Sequence, residues 1–407
     1  MNTLEEMSKG LDFESLSNMQ EGEKLLSSID YTRPLNEYAT ADDISFFLNT
    51  RDKPRHVYTK DLNLNGRVVK EDMEKYLSAK EYINSGALKE AQKSPLHLFY
   101  ATESGWKERL DSYMKKKDYF ILGEFIHQAI LEPGKFSRVI VEPDYKQNSK
   151  KGLLSLISFW EDKIQSLNEI VVNDTKISGS QYIDMLKDES GSFELDRMDS
   201  LKLYYNILKS KSGFTSVDEI DKQIIDITYF NYKRYGDGLL PELLKHSKRE
   251  ISVYYDDPDY GIKQRIRPDA MQFSENIGAD TIISVKSTRA ESISHYCYQS
   301  AKLNYELTEG MYCEVAGKVT GRDFRCVINI MVQTLPPYGV AVLVWDAEDI
   351  EIGKYKYYQA LQTVAECREK GKYPGYDAYA EAGHRGLINM KQPSWNAKEL
   401  YPVDIDN

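Results

Sequence analysis

The chain has 407 residues, of which 41% are hydrophobic and 29% charged, with 30 tyrosines and a formal net charge of −11. That length suits two or three domains, the composition excludes pervasive disorder, and the acidic balance excludes a surface that coats nucleic acid throughout, so any DNA site is local. No run approaches the roughly 18 apolar residues of a membrane span, and the opening residues lack the basic-then-apolar order of a signal peptide, so no membrane partner and a cytoplasmic location are expected.

Residues 1–75 are polar with short apolar pieces and read as an N-terminal extension of weak structure, in which Asn65-Gly66 carries a hairpin signal. From 71 to 101 the apolar spacing is helical, interrupted at Asn84-Ser85-Gly86 and at Ser94-Pro95. Serine caps and proline opens a following helix, so two helices joined by a turn are expected. Residues 121–132 read as a helix with Phe125, Ile126, Ala129 and Ile130 on its apolar face, ending before Pro133-Gly134, with a short buried strand after it. Residues 147–247 are strongly helical and read as an inserted helical subdomain.

Between 249 and 286, three strand-like runs separated by turn residues indicate a β-meander. A long helix over about 292–316, two strands joined around Pro336-Pro337, and a helix from Ala347 to about Lys370 follow. This order predicts an α/β fold, a mixed central sheet flanked by helices, with its core in residues 76–146 and 248–400 and a tail at 401–407. Cys297, Cys313, Cys326 and Cys367 match no CxxC spacing and read as buried thiols.

Three positions carry chemistry: His127, Asp269 in Arg267-Pro268-Asp269-Ala270, and Lys286 in the apolar run from Ile282. Residues i and i+2 of a strand share a face, so Ser284 and Lys286 lie together and a neighbouring strand can bring Asp269 opposite them. Carboxylates there would hold Mg²⁺, and the lysine would orient water or stabilise charge on a phosphate. Lysine is rarely buried without a partner, which makes Lys286 hard to explain as core. Lys263, Arg265, Arg267 and Arg289 flank these positions and are candidate phosphate contacts, whereas Lys115-Lys116-Lys117 reads as a solvated face. His97 and Gln299 are weaker candidates.

The order Gly123 to Pro133, Arg267 to Ala270, Ile283 to Thr288 and Tyr305 to Tyr312 resembles the RecE-type exonucleases, also called exonuclease VIII, of the PD-(D/E)XK superfamily. Ser85-Gly86-Ala87-Leu88, Lys93 to His97, Pro336 to Val342 and Pro393-Ser394-Trp395 extend the likeness over about residues 80–400. The resemblance implies a nuclease core and phosphodiester hydrolysis at duplex DNA ends, with Mg²⁺ or Mn²⁺ on His127 and Asp269 and Lys286 as catalytic lysine. Tyr305, Thr308 and Tyr312 would face the substrate. It also implies DNA, further copies of the chain, and a single-strand annealing protein or phage structural proteins as partners, in a bacterial host cytoplasm. Ser284 stands where the family has Asp, and Thr308 where it has Gln. A neutral hydroxyl is a poorer Mg²⁺ ligand, so either an acid has migrated, with Glu124, Glu291 and Glu309 as candidates, or the chain is an inactive nuclease-fold protein that binds DNA or serves phage assembly.

Overall fold

Two long apolar strands dictate the centre of the fold. The computed structural model describes residues 29–51, 62–105, 118–132, 138–172, 175–189 and 197–390. Asp280–Thr288 and Phe324–Gln333 run parallel, with Ser284 opposite Asn329 and Lys286 opposite Met331. Parallel neighbours require a crossover, here made by the helices Ile293–Lys302 and Tyr305–Thr320. Val340–Val344 adds an antiparallel edge on one side; Ala270–Gln272 and then Lys248–Arg249 extend the other, giving a mixed five-stranded sheet. The expected α/β class with a mixed central sheet flanked by helices is the one the chain adopts.

Successive strand residues point to opposite faces, and the two faces have separate cores. Ile282 packs in a cluster with Leu307, Met311 and Val315 of Tyr305–Thr320 and Tyr357 and Leu361 of the helix Ala347–Lys370. Ile283 and Val285 belong instead with Phe125, Ile126, Ala129 and Ile130 of the helix Asp118–Leu131. Ser284 and Lys286 share the parity of Ile282 and therefore face Tyr305–Thr320. That helix crosses Ala347–Lys370 at two glycines, because a Cβ on Gly310 would come 2.5 Å from the carbonyl carbon of Gly353.

Several expectations are corrected. The 292–316 helix is two, broken at Asn304, whose φ of 48° is left-handed. The three runs of the expected meander divide between two sheets: Ile251–Asp257 and Ile262–Ile266 pair with each other and, through the former, with Arg67–Lys70 in a separate antiparallel sheet. The strand after Asn65-Gly66 therefore finds its partner far along the chain. Gly66 is needed because a Cβ there would strike the carbonyl oxygen of Tyr254.

Residues 29–51 and 62–75 are not weakly structured. Tyr38 and Leu62 enter one core and Ala39 and Ile44 the other. Lys354 and Glu351, each 1% exposed, anchor this segment: Glu351 accepts from the Thr32 amide at 2.6 Å and from its hydroxyl at 2.7 Å, and Lys354 lies 3.0 Å from Glu314. Residues 1–28, Pro133-Gly134 and 391–407 lie outside the described residues.

Within 147–247, the helices Lys150–Gln165, Gly179–Glu189 and Met198–Lys211 build their own core. Leu153, Leu156, Trp160 and Ile164 lie three or four residues apart and bury at most 1% exposed, each contributing about 1.5–3 kcal/mol. The later helices Glu219–Arg234 and Leu239–Leu244 do not belong to that unit; Ile225, Tyr232 and Leu240 pack with Asp118–Leu131 against the main sheet. Cys297 is exposed, unlike the other three cysteines. No helix among the described residues is long and apolar enough to cross a membrane.

Candidate active site

The Ala270–Gln272 strand is short, and its pairing with the central strand ends at Ile283. Beyond that point a side chain continues the ladder: Asp269 Oδ2 accepts the Val285 amide at 2.6 Å. The other oxygen, Oδ1, lies 3.9 Å from Nδ1 of His127. His127 is carried by Asp118–Leu131, which approaches the central strand closely because Gly123 has no side chain; a Cβ there would sit 2.7 Å from Ser287 Oγ.

Glu250 completes the group. It sits between Lys248–Arg249 and Ile251–Asp257 at φ 51°, with its amide donating to the Asp269 carbonyl at 3.1 Å and its Oε2 accepting from Arg267 Nε at 3.1 Å. One ligand atom from each of His127, Glu250 and Asp269 lies within 4.8 Å of the others. Burial, reinforced by the charge of Asp269, pushes the Glu250 carboxyl up, and Arg267 opposes the shift. Two carboxylates, each held by a neighbour, and an imidazole beside them fit a hard divalent cation, which would relieve the repulsion between the carboxylates.

On the crossover face of the same strand, the Ser284 hydroxyl donates to Glu309 Oε2 at 3.0 Å. Both residues are 0% exposed. Glu309 Oε1 has no hydrogen-bond partner and lies 3.7 Å from Lys286 Nζ. Burial pushes the Glu309 carboxyl up, more than Lys286 and Ser284 draw it back. For Lys286, burial favours the neutral amine, but the carboxylates of Glu309 and Asp269 outweigh it and hold the ammonium above its usual range. Of the three candidate acids, Glu309 is the one against Ser284; Glu124 and Glu291 are exposed.

Tyr305 is half-buried beneath two lysines, with Lys286 Nζ 5.3 Å and Lys89 Nζ 5.2 Å from its ring centre. Burial and then the Lys286 charge lower the Lys89 pKa to about 8. Thr308 is buried with its hydroxyl unpartnered, and burial raises the Tyr312 phenol, which bonds to Ser85.

The flanking basic residues divide. Lys263 and Arg289 are exposed. Arg265 is buried, donates to the Tyr76 carbonyl and stacks 4.7 Å from its ring, while Arg267 bonds Glu250, Ser252 Oγ at 2.9 Å and the Glu71 carbonyl at 3.1 Å. These two arginines build the wall of the site and are committed to protein partners. His97 bonds Ser94 at 2.7 Å and Gln299 accepts from Thr288 Oγ1 at 2.7 Å, both structural roles. Lys115 to Lys117 lie outside the described residues.

Sequence reasoning missed Glu250 and Lys89. Glu250 looks like any acid at a strand start, and Lys89 sits in a helix with other lysines; only chain reversal brings them here.

No protein-family model and no curated protein matches the chain. Among solved structures, a chain from Eubacterium rectale named "Putative exonuclease" is similar over 81% of this chain and 98% of its own, at 9% identity and a TM-score of 0.37. A likeness that distant carries no argument about the reaction, so the functional reading rests on the geometry.

Proposed function

We propose that the protein is a Mg²⁺-dependent exonuclease of the PD-(D/E)XK, RecE-like type that hydrolyses phosphodiester bonds at duplex DNA ends, with Mn²⁺ as an alternative ion. The observation that carries the reading is the convergence of His127, Glu250 and Asp269 beside the strand bearing Lys286, with Glu309 supplying the carboxylate that position 284 lacks.

A bound cation supplies Lewis-acid polarisation of the phosphate and lowers the pKa of nearby water. Val285 and Arg267 hold Asp269 and Glu250 in place to receive it. Lys286, kept protonated, donates to a phosphate oxygen and offsets the charge that grows as the water oxygen bonds to phosphorus. Glu309 Oε1, unpartnered and on a carboxyl raised by burial, accepts the proton that water loses. The P–O bond to the departing strand breaks, and the leaving oxygen is protonated from solvent.

In this reading the partners are DNA, further copies of the chain, and a single-strand annealing protein or phage structural proteins, in the cytoplasm of a bacterial host during phage-type recombination or replication. One observation favours a second reading, a catalytically inactive nuclease-fold protein that binds DNA or serves phage assembly: Ser284 and Lys286 already engage the Glu309 carboxylate. Digestion of linear duplex DNA with and without Mg²⁺ separates the two. Lys286→Ala and Asp269→Asn should each lower a Mg²⁺-dependent rate by about 10²-fold or more. Binding of DNA with no Mg²⁺-dependent product from the wild-type chain selects the second reading.

A further inference from the structure

We propose that Lys89 is a second substrate-binding lysine, which takes a phosphate of the cleaved strand beside the one held by Lys286, with the Tyr305 ring between the two. The inference rests on the nuclease reading and says how that site grips its substrate. Lys89 projects from the helix Ser85–Lys93, whose Ala87, Leu88 and Ala91 are buried in the main core, so its position is set by packing. Its ammonium and that of Lys286 share one aromatic ring, at 5.2 and 5.3 Å from the centre.

The two lysines around that ring are unequally paired. Among the described residues no carboxylate forms an ion pair with Lys89, and the acid nearest Lys286 is Glu309 at 3.7 Å. Glu306, on the same helix, is taken by Lys356. Glu309 and Asp269 together hold Lys286 protonated, whereas Lys89 has no carboxylate at ion-pair distance among the described residues, so the two ammoniums repel across the ring in a poorly solvated setting. The lowering of the Lys89 pKa by burial and by Lys286 is the mark of that strain. An anion beside Tyr305 would relieve it, and because Lys286 belongs to the reaction site, the anion must belong to the same substrate. On a chain with a net charge of −11, such a local cationic pair is also what would allow a polyanion to approach.

The test uses the full chain and a fluorescently labelled linear duplex, with Ca²⁺ replacing Mg²⁺, and follows binding by anisotropy from 50 to 200 mM salt. Lys89→Met keeps the apolar stem and removes the charge. It should weaken binding about tenfold and flatten the slope of log affinity against log salt by about 0.7–0.9, the share of one phosphate contact. Lys89→Arg should restore both; a merely structural lysine would alter affinity or the unfolding midpoint without moving the slope. If Lys89→Met does not fold, Lys89→Gln carries the same comparison. An unchanged slope in a folded Lys89 variant, while Lys286→Ala flattens it, overturns the inference and leaves the nuclease reading standing. A wild-type chain with no salt-dependent binding to the duplex overturns both.

Discussion

Replacing Ser284 with aspartate introduces the acid that the RecE-type exonucleases carry at the position it resembles, yet here it should destabilise the metal-free protein. Glu309 Oε2 lies 3.0 Å from Ser284 Oγ, and both residues are buried, so Ser284→Asp sets two carboxylates together where water cannot separate them. At an effective dielectric of about 20, unit charges about 4 Å apart repel by about 4 kcal/mol. Protonating one of them at pH 7 instead costs about 1.4 kcal/mol per unit above an ordinary value near 4, again about 4 kcal/mol. Lys286, 3.7 Å from Glu309, returns part of this, leaving an expected loss of about 2–3 kcal/mol. The pH dependence has a definite sign. The pair's pKa in the folded state is raised above its unfolded value, so the native state keeps a proton that the unfolded state has released, and stability falls as pH rises. Urea unfolding in EDTA should therefore show the widest gap between variant and wild type near pH 8, closing towards pH 4–5. Saturating Mg²⁺ should narrow the gap, because an added hard oxygen ligand binds the ion in the folded state only. Ser284→Ala, which loses one hydrogen bond to a charged acceptor and so also raises the Glu309 carboxyl, should cost about 1.5–3 kcal/mol with a shallower pH profile of the same sign, and Mg²⁺ should not narrow its gap. A Ser284→Asp protein as stable as wild type in EDTA at pH 8, to within about 0.5 kcal/mol, would refute the placement of Glu309 against position 284.

Three further predictions follow from contacts elsewhere in the fold. Mg²⁺ at about a hundredfold above its dissociation constant should stabilise the wild-type chain by about 2.7 kcal/mol, and Glu250→Gln, which weakens one of three grouped donors, should need at least about tenfold more ion for the same gain in a thermal-shift titration. Glu351→Ala removes the acceptor of Thr32 and Tyr38 and leaves Lys354 buried with Glu314 alone; a loss of about 3 kcal/mol in urea unfolding is expected. Gly353→Leu cannot be accommodated where the helix Ala347–Lys370 meets the Glu306 carbonyl, and should cost about 3 kcal/mol, whereas Gly371→Ala, with open space around it but a left-handed φ of 59°, should cost about 1 kcal/mol by the same assay.

Much of the fold is legible because its signals are local. Asn84 and Ser94 cap the helices Ser85–Lys93 and Pro95–Thr102, and Pro95 opens the second, as spacing and residue type alone require. Period two along the strand from Asp280 places Ser284 and Lys286 on one face, and the apolar face of residues 121–132 marks a core helix. These patterns report energies that depend on a few neighbouring residues, so one dimension suffices. The partners of those residues are another matter. On paper Glu124, one helical turn from His127, is the first candidate acid, with Glu291 and Glu309 behind it; what puts Glu309 against Ser284 is a break at Asn304 that lets Tyr305–Thr320 lie across the sheet, pinned by Gly310 and Gly353. Arg265 and Arg267 look like phosphate contacts until the hairpin turns them onto Tyr76, Glu250 and Ser252. Glu250 and Lys89 join the site only because strands and helices distant in sequence are packed together, and the free energy of that packing belongs to the whole core rather than to any segment read alone.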